Sequence, residues 1–180
     1  MTMCIALIRG INVGRGNRVA MSDLRDLMIE LDHTNVRTLL NSGNVLFQST
    51  HTGVTKIAAG IEAAISAKCG FSAAVTVTTA QELARIVDEN PLLRVVDDHA
   101  RHLVAFVTHP KHLEALRPTL EQTWAPDALA ITKRAAYLWC STGILDSKLL
   151  KVFSRMAGAT VTTRNWATVL KLQAAAKEGT

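Results

Sequence analysis

Ten residues near the start of the chain, RGINVGRGNR (9–18), hold three arginines, three glycines and two asparagines, with no acidic side chain among them. Glycines let backbone N–H groups converge on an anion, and guanidinium groups grip phosphate or carboxylate through paired hydrogen bonds. The spacing fits neither common nucleotide loop. A Rossmann fingerprint needs glycine at 14, 16 and 19, and position 19 is Val. A P-loop counted from Gly10 needs Gly-Lys-Ser/Thr at 15–17, where the chain has Arg15-Gly16-Asn17. Two readings stay open: an anion contact through Arg9, Gly10, Asn12 and Gly14, or a strand-to-helix turn that uses glycine's dihedral freedom and leaves its arginines in water.

A second polar motif, TTRNW, spans residues 162–166. Thr162 or Thr163 can cap a helix, with Arg164, Asn165 and Trp166 in its cap and first turn. That grouping joins a helix N-terminus, a planar cation, an amide and a stacking surface. The alternative makes Trp166 a core anchor and Arg164 the partner of a carboxylate. DSKLL (146–150) offers Lys148 as a base or a first-turn surface lysine, and NSGN (41–44) offers Ser42 and Asn44 in a turn.

Other chemistries find less. His99, His102, His109 and His112 contain two HxxH spacings but no HExxH, and Cys4, Cys69 and Cys140 form no CxxC pair. The cysteines read as buried, reduced thiols, and no metal or cofactor is expected. No Ser-His-Asp or Cys-His set can be assembled, so whether the protein is an enzyme stays open. A sheet that stacks RNA bases is also disfavoured, because the first strand has no aromatic residue and the third only Phe47.

These motifs need a scaffold, and the hydrophobic pattern supplies one. MCIALIR (3–9) reads as a buried strand, 23–31 as a helix capped by Ser22, and VRTLL (36–40) with VLFQS (45–49) as a hairpin. Residues 54–68 read as an amphipathic helix and AAVTVTT (73–79) as a strand. The order β-α-β-β-α-β predicts an α+β fold whose first part, residues 1–79, is a ferredoxin-like (split βαβ) subdomain. In that arrangement the β2–β3 turn is expected at the opposite end of the sheet from the β1–α1 loop, separating Asn41 from Arg9.

The second part, residues 80–180, starts with a helix over 80–89 stopped by Asn90-Pro91. A strand (102–108), a helix from Pro110 to about 123, a hairpin (128–132 and 136–141) and a helix through 157 follow. A last helix, 166–177, stands where a fourth strand would. The expectation is therefore two ferredoxin-like subdomains, the second lacking its last strand.

The 180 residues carry a net charge of +5, unevenly spread. Between 128 and 171, seven basic side chains (Lys133, Arg134, Lys148, Lys151, Arg155, Arg164 and Lys171) face one acid, Asp146. Charge interrupts every apolar stretch before a membrane span is reached, and the first arginine follows the opening apolar run, the reverse of a signal peptide. The sequence predicts a soluble, cytoplasmic protein.

RGINVG (9–14), SGNV (42–45), SKL (147–149) and TTRNW (162–166), in this order, resemble an uncharacterised bacterial family catalogued as domain of unknown function 1697. The resemblance spans nearly the whole chain and implies a two-part α+β fold, with no established activity, cofactor or substrate. By position it singles out Arg9, Gly10, Asn12, Gly14, Ser42, Gly43, Asn44, Ser147 and Lys148. In the last motif it adds Thr163, Arg164, Asn165 and Trp166. The family commonly continues RGINVG with a second glycine, and here Arg15 replaces it, adding charge.

The leading expectation is a phosphate-bearing or other anionic ligand at a basic site between the subdomains. Arg9 and Arg164 would hold the anion, Asn12 and Asn165 its neighbouring polar atoms, Lys148 would contribute, and Trp166 would wall the pocket. Two alternatives stand beside it: non-specific nucleic-acid binding through the 128–171 face, and a structural or oligomerisation module with no small-molecule ligand. The partner is thus a phosphorylated small molecule or nucleic acid, not a membrane, and the oligomeric state stays open.

Overall fold

The computed structural model describes residues 1–14 and 16–179. The chain opens with β1 (Thr2–Ile8), α1 (Met21–Glu30), β2 (Thr34–Leu39), β3 (Asn44–Ser49), α2 (Val54–Cys69) and β4 (Val75–Thr79). These strands form a four-stranded antiparallel sheet in the order β2-β3-β1-β4. Alternate residues of β1, Cys4, Ala6 and Ile8, share one face with Val45 and Phe47. That face packs against Leu24, Leu27 and Met28 of α1 and Ile57, Ile61 and Ile65 of α2. The spacing of these helical residues gives each helix one apolar stripe.

Strand direction corrects one expectation. β1 and β2 are both antiparallel to β3, so they run the same way and end at the same edge of the sheet. Leu7 pairs with Asn44, which sets the β2–β3 turn beside the exit of β1. Arg9 and Asn41 therefore share one end. The expected Ser22 cap is also replaced: α1 starts at Met21 after an extended Ala20, and the Ser22 hydroxyl meets the Asp23 carboxylate at 3.3 Å.

After α3 (Ala80–Asp88), the second half contains β5 (His102–Val107), α4 (Lys111–Leu116), β6 (Ala128–Ile131) and β7 (Ala136–Trp139). It ends with α5 (Lys148–Ala157), β8 (Val161–Asn165) and α6 (Trp166–Glu178). The helix expected from Pro110 to 123 stops early and tightens into a 3-10 turn over Arg117–Glu121. Pro118 lacks the N–H that would continue the α-helical ladder.

The second half has the last strand that the sequence pattern predicts it to lack. β8 pairs antiparallel with β5, Val161 opposite Val107 and Asn165 opposite Leu103, completing a sheet in the order β6-β7-β5-β8. Val161, Thr162 and Thr163 are β-branched and suit a strand. The cap of α6 comes instead from Asn165, whose Oδ1 accepts the Thr168 N–H at 2.9 Å. Leu103, Ala105, Leu138 and Val161 pack against Leu113, Leu116, Leu149 and Phe153.

The chain forms two compact units: Met1–Leu83 with the residues from Leu172 onward, and Ala84–Lys171. The boundaries fall inside α3 and α6, so the C-terminal turns of α6 belong to the first unit. There Arg37 donates to the Ala175 carbonyl at 2.6 Å and Gln48 to that of Gly179 at 3.2 Å. Among the described residues, no helix is long and apolar enough to cross a membrane.

Candidate functional site

The loop that leaves β1 is held on both flanks. Ile8 N–H donates to the Gly43 carbonyl (2.8 Å) and Arg9 N–H to that of Ala74 (2.9 Å). Gly10, Asn12, Gly14 and Asn17 all adopt left-handed φ (74°, 56°, 63° and 49°). Glycine and asparagine are the residues that tolerate this region, which explains the composition of the stretch.

Asn12 is the clamp. Its Oδ1 accepts the Val19 N–H at 2.9 Å, and its Nδ2 donates to the carbonyls of Val19 (2.9 Å) and Asn41 (3.0 Å). Both amide hydrogens and the oxygen are thereby engaged in tying the loop to its own far end and to the β2–β3 turn. Asn12 N–H donates to the Asn17 carbonyl (3.0 Å), and Asn17 Nδ2 reaches back to that of Gly10 (3.3 Å).

The facing turn is equally fixed. Asn44 is buried, and its Nδ2 donates to the Leu39 carbonyl and the Ser42 hydroxyl, each at 3.0 Å. Gly43 has φ 79°, and a Cβ there would lie 2.8 Å from the Ile8 carbonyl oxygen. Of the expected site residues, Arg9, Gly10, Asn12, Gly14, Ser42 and Asn44 are thus gathered at one end of the first unit.

On this frame Arg9 and Arg18 are exposed, and Arg18 Nη2 donates to the Gly14 carbonyl at 2.7 Å. Arg15 lies outside the described residues. The 9–20 segment contains no acid, so its charged side chains are all basic.

In the second unit the expected residues take other positions. Arg164 sits in β8 opposite Val104 and is half-buried, with Nη1 donating to the Thr163 carbonyl at 2.9 Å. Burial pushes its guanidinium down to about 10, which leaves it charged at neutral pH. Thr163 faces the opposite side of the same strand. Trp166 is buried, with its ring centroid 5.3 Å from that of His102. His102 is itself buried, between Asn90 Nδ2 (2.7 Å) and the Leu138 carbonyl (3.0 Å). Those contacts fit a neutral ring that donates from Nδ1 and accepts at Nε2, and burial lowers its pKa accordingly.

Lys148 is exposed at the first position of α5. The Ser147 hydroxyl before it accepts the Leu150 N–H (3.0 Å) and donates to Asp127 Oδ2 (2.7 Å). Asp127 Oδ1 accepts from the Ser141 N–H (2.9 Å) and hydroxyl (3.0 Å). Asp127 escaped the sequence reading because an Asp after Pro126 looks like an ordinary turn residue. Ser147→Ala removes the cap and one partner of Asp127, and is expected to cost about 1–2 kcal/mol in urea unfolding. Burial raises the pKa of the adjoining Cys140 thiol, the opposite of an activated nucleophile. Cys4 is also buried, whereas Cys69, expected to be, is partly exposed.

The basic residues of 128–171 are dispersed. Arg134 pairs with Glu89 at 2.9 Å and Arg164 is sunk in its strand, while Lys148, Lys151 and Arg155 share the exposed side of α5. Among the described residues, no group of three His, Cys, Asp or Glu is placed to hold a metal ion.

A family model described as Protein of unknown function (DUF1697) matches residues 1–137. The chain belongs to this family. The DUF1697 match includes the clamped loop and the β2–β3 turn and ends within β7, ahead of SKL and TTRNW. A search of curated proteins found no match. Among solved structures, this DUF1697 chain resembles one titled "The structure of conserved bacterial protein SP0830 from Streptococcus pneumoniae". The two are 24% identical, with 97% of this chain and 98% of that chain covered at a TM-score of 0.80. The likeness extends the shared fold to both units.

Proposed function

We propose that this DUF1697 chain is a cytoplasmic bacterial anion-binding protein, built on ferredoxin-like units, whose RGINVGRGNR loop takes a phosphate-bearing or other anionic ligand. The observation that carries the reading is the Asn12 clamp: three hydrogen bonds tie Asn12 to Val19 and Asn41 in a segment of left-handed turns, with Arg9 and Arg18 exposed and no acidic residue between positions 9 and 20. A charged surface on mobile chain must be ordered when the ligand arrives, whereas a braced loop avoids that cost. In this reading Arg9 and Arg18 grip the anion, the glycines bring backbone N–H groups close, and Asn12 and Asn44 position the loop without touching the ligand.

The test is a thermal-shift series with inorganic phosphate, sugar phosphates, nucleotides and short oligonucleotides at low and moderate salt. A ligand at 100 times its dissociation constant adds about 2.7 kcal/mol to stability, easily read as a raised Tm. The shift is expected to disappear in Arg9→Ala and Arg18→Ala, both surface changes. Stabilisation by no anion, or a shift that survives both substitutions, rejects the proposal.

The exposed α5 row of Lys148, Lys151 and Arg155 favours a second reading, non-specific nucleic-acid binding. It predicts oligonucleotide binding whose affinity falls by about 0.9 log units per log unit of salt for each duplex phosphate neutralised. Affinity indifferent to salt rejects that alternative.

A further inference from the structure

At the other end of the first unit, where β3 ends and α2 begins, lies a cavity of about 360 Å³. Leu31, Ile57 and Gly60 give it an apolar floor. His33, His51, Thr52 and Lys56 form its polar wall. An apolar recess with a few convergent polar groups is the usual build of a small-molecule site.

Three further observations concern the charge such a molecule would carry. His33 is only 4% exposed, lies with its ring centroid 4.6 Å from Phe47 and 5.7 Å from His51, and its buried Nδ1 has no hydrogen-bond partner. Buried imidazole nitrogens are almost always satisfied, so this one is an unspent donor or acceptor on a ring that lines the cavity. The wall residues His51 and Thr52 lead into α2, whose N-cap, Gly53, makes no side-chain hydrogen bond. The first turn of α2 carries no acid and instead holds Lys56, a cation at the end of the helix that favours anions.

We infer that this cavity binds a small organic acid, its carboxylate set among His33, His51, Lys56 and the start of α2, and its apolar body on Leu31, Ile57 and Gly60. The carboxylate replaces the missing first-turn acid of α2 and supplies the partner that His33 lacks. An inorganic phosphate meets the same charges but leaves the apolar floor uncovered, so the site prefers the acid. The titratable groups that act on His33 are His51 and Asp32, with Lys56 on the same cavity wall; burial and His51 hold the imidazole below its ordinary pKa, and Asp32 opposes them. A bound carboxylate adds a negative charge and raises it. The site is separate from the 9–20 loop and stands or falls independently of it.

The experiment is a nitrogen-15 NMR titration of the histidine rings in the full chain with benzoate, inorganic phosphate and uncharged benzamide. Benzoate is expected to move the His33 and His51 signals with millimolar affinity and to raise the His33 pKa, with phosphate weaker and benzamide inert. A Cβ at Gly60 meets nothing within 4 Å, so Gly60→Leu fills the cavity without a backbone clash, and it removes a glycine from a helix interior. That variant should keep its Tm and lose benzoate affinity about tenfold or more, as should Lys56→Ala, whereas Arg9→Ala leaves benzoate binding intact. Ring signals that ignore benzoate, or that respond equally in Gly60→Leu, overturn the proposal. Equal binding of phosphate and benzoate overturns the assignment to organic acids.

Discussion

Gly43→Ala is expected to destabilise the protein by about 2–4 kcal/mol, a large loss for one methyl group. Two penalties combine. At φ 79° an L-residue sits in a disfavoured region, and the added Cβ would stand 2.8 Å from the Ile8 carbonyl oxygen and 3.0 Å from the Ile11 side chain. The Ile8 oxygen belongs to the backbone of the central β1 strand and has little room to yield, because the Ile8 N–H is itself tied to Gly43 at 2.8 Å. Gly10 and Gly14 provide the control: their φ values are 74° and 63°, but a Cβ at either meets nothing within 4 Å. Alanine there incurs the dihedral cost alone, about 1 kcal/mol. Urea unfolding with an unchanged m-value measures all three. A Gly43→Ala loss no greater than that of Gly10→Ala would show that the turn is not locked against β1.

Asn12→Ala is expected to cost about 2–3 kcal/mol and to loosen the loop. Val19 is buried, at 7% exposure, and its N–H and carbonyl would both lose the amide that pairs with them. The Asn41 carbonyl, which is exposed, can turn to water, so the third hydrogen bond contributes less. Part of the loss comes from φ 56°, which Asn tolerates and Ala does not. Asn12→Gly separates the two contributions, since it relieves the dihedral and still lacks the side chain. Stability near wild type in Asn12→Gly would mean that the amide contributes little and the backbone conformation nearly everything. The proposal requires the reverse, with anion affinity falling in both variants although Asn12 contacts no ligand.

Much of the scaffold was legible because hydrophobic period reports local structure directly. The stripe of Ile57, Ile61 and Ile65 reads as one face of a helix and MCIALI as a buried strand, and both form as read. β8 was missed because Thr163 and Asn165 suit a helix cap as well as a strand, and only the pairing with β5 decides between them. The placement of Asn41 beside Arg9 was misjudged through strand direction, which follows from two antiparallel pairings to β3 and from no single residue.

The candidate site was legible as composition but not as roles. Gly, Asn and Arg crowd the opening loop in the sequence, but which asparagine is a brace depends on partners 7 and 29 residues away. Arg164 looked like the twin of Arg9 in charge. Burial separates them: one is exposed on a loop and the other is half-sunk in a strand. The pocket of His33 and His51 left no motif, since it is made where the chain enters β2, leaves β3 and starts α2.

The central claim is that the braced loop is a pre-shaped anion contact, and an amide NMR titration with inorganic phosphate tests it most directly. The Gly10, Gly14 and Gly16 N–H signals should move together and saturate along one binding curve, with no movement in an Arg9→Ala, Arg18→Ala double variant of unchanged Tm. Glycine signals that stay fixed while phosphate is raised, or that move identically without the two arginines, would contradict it and leave the loop a well-braced turn.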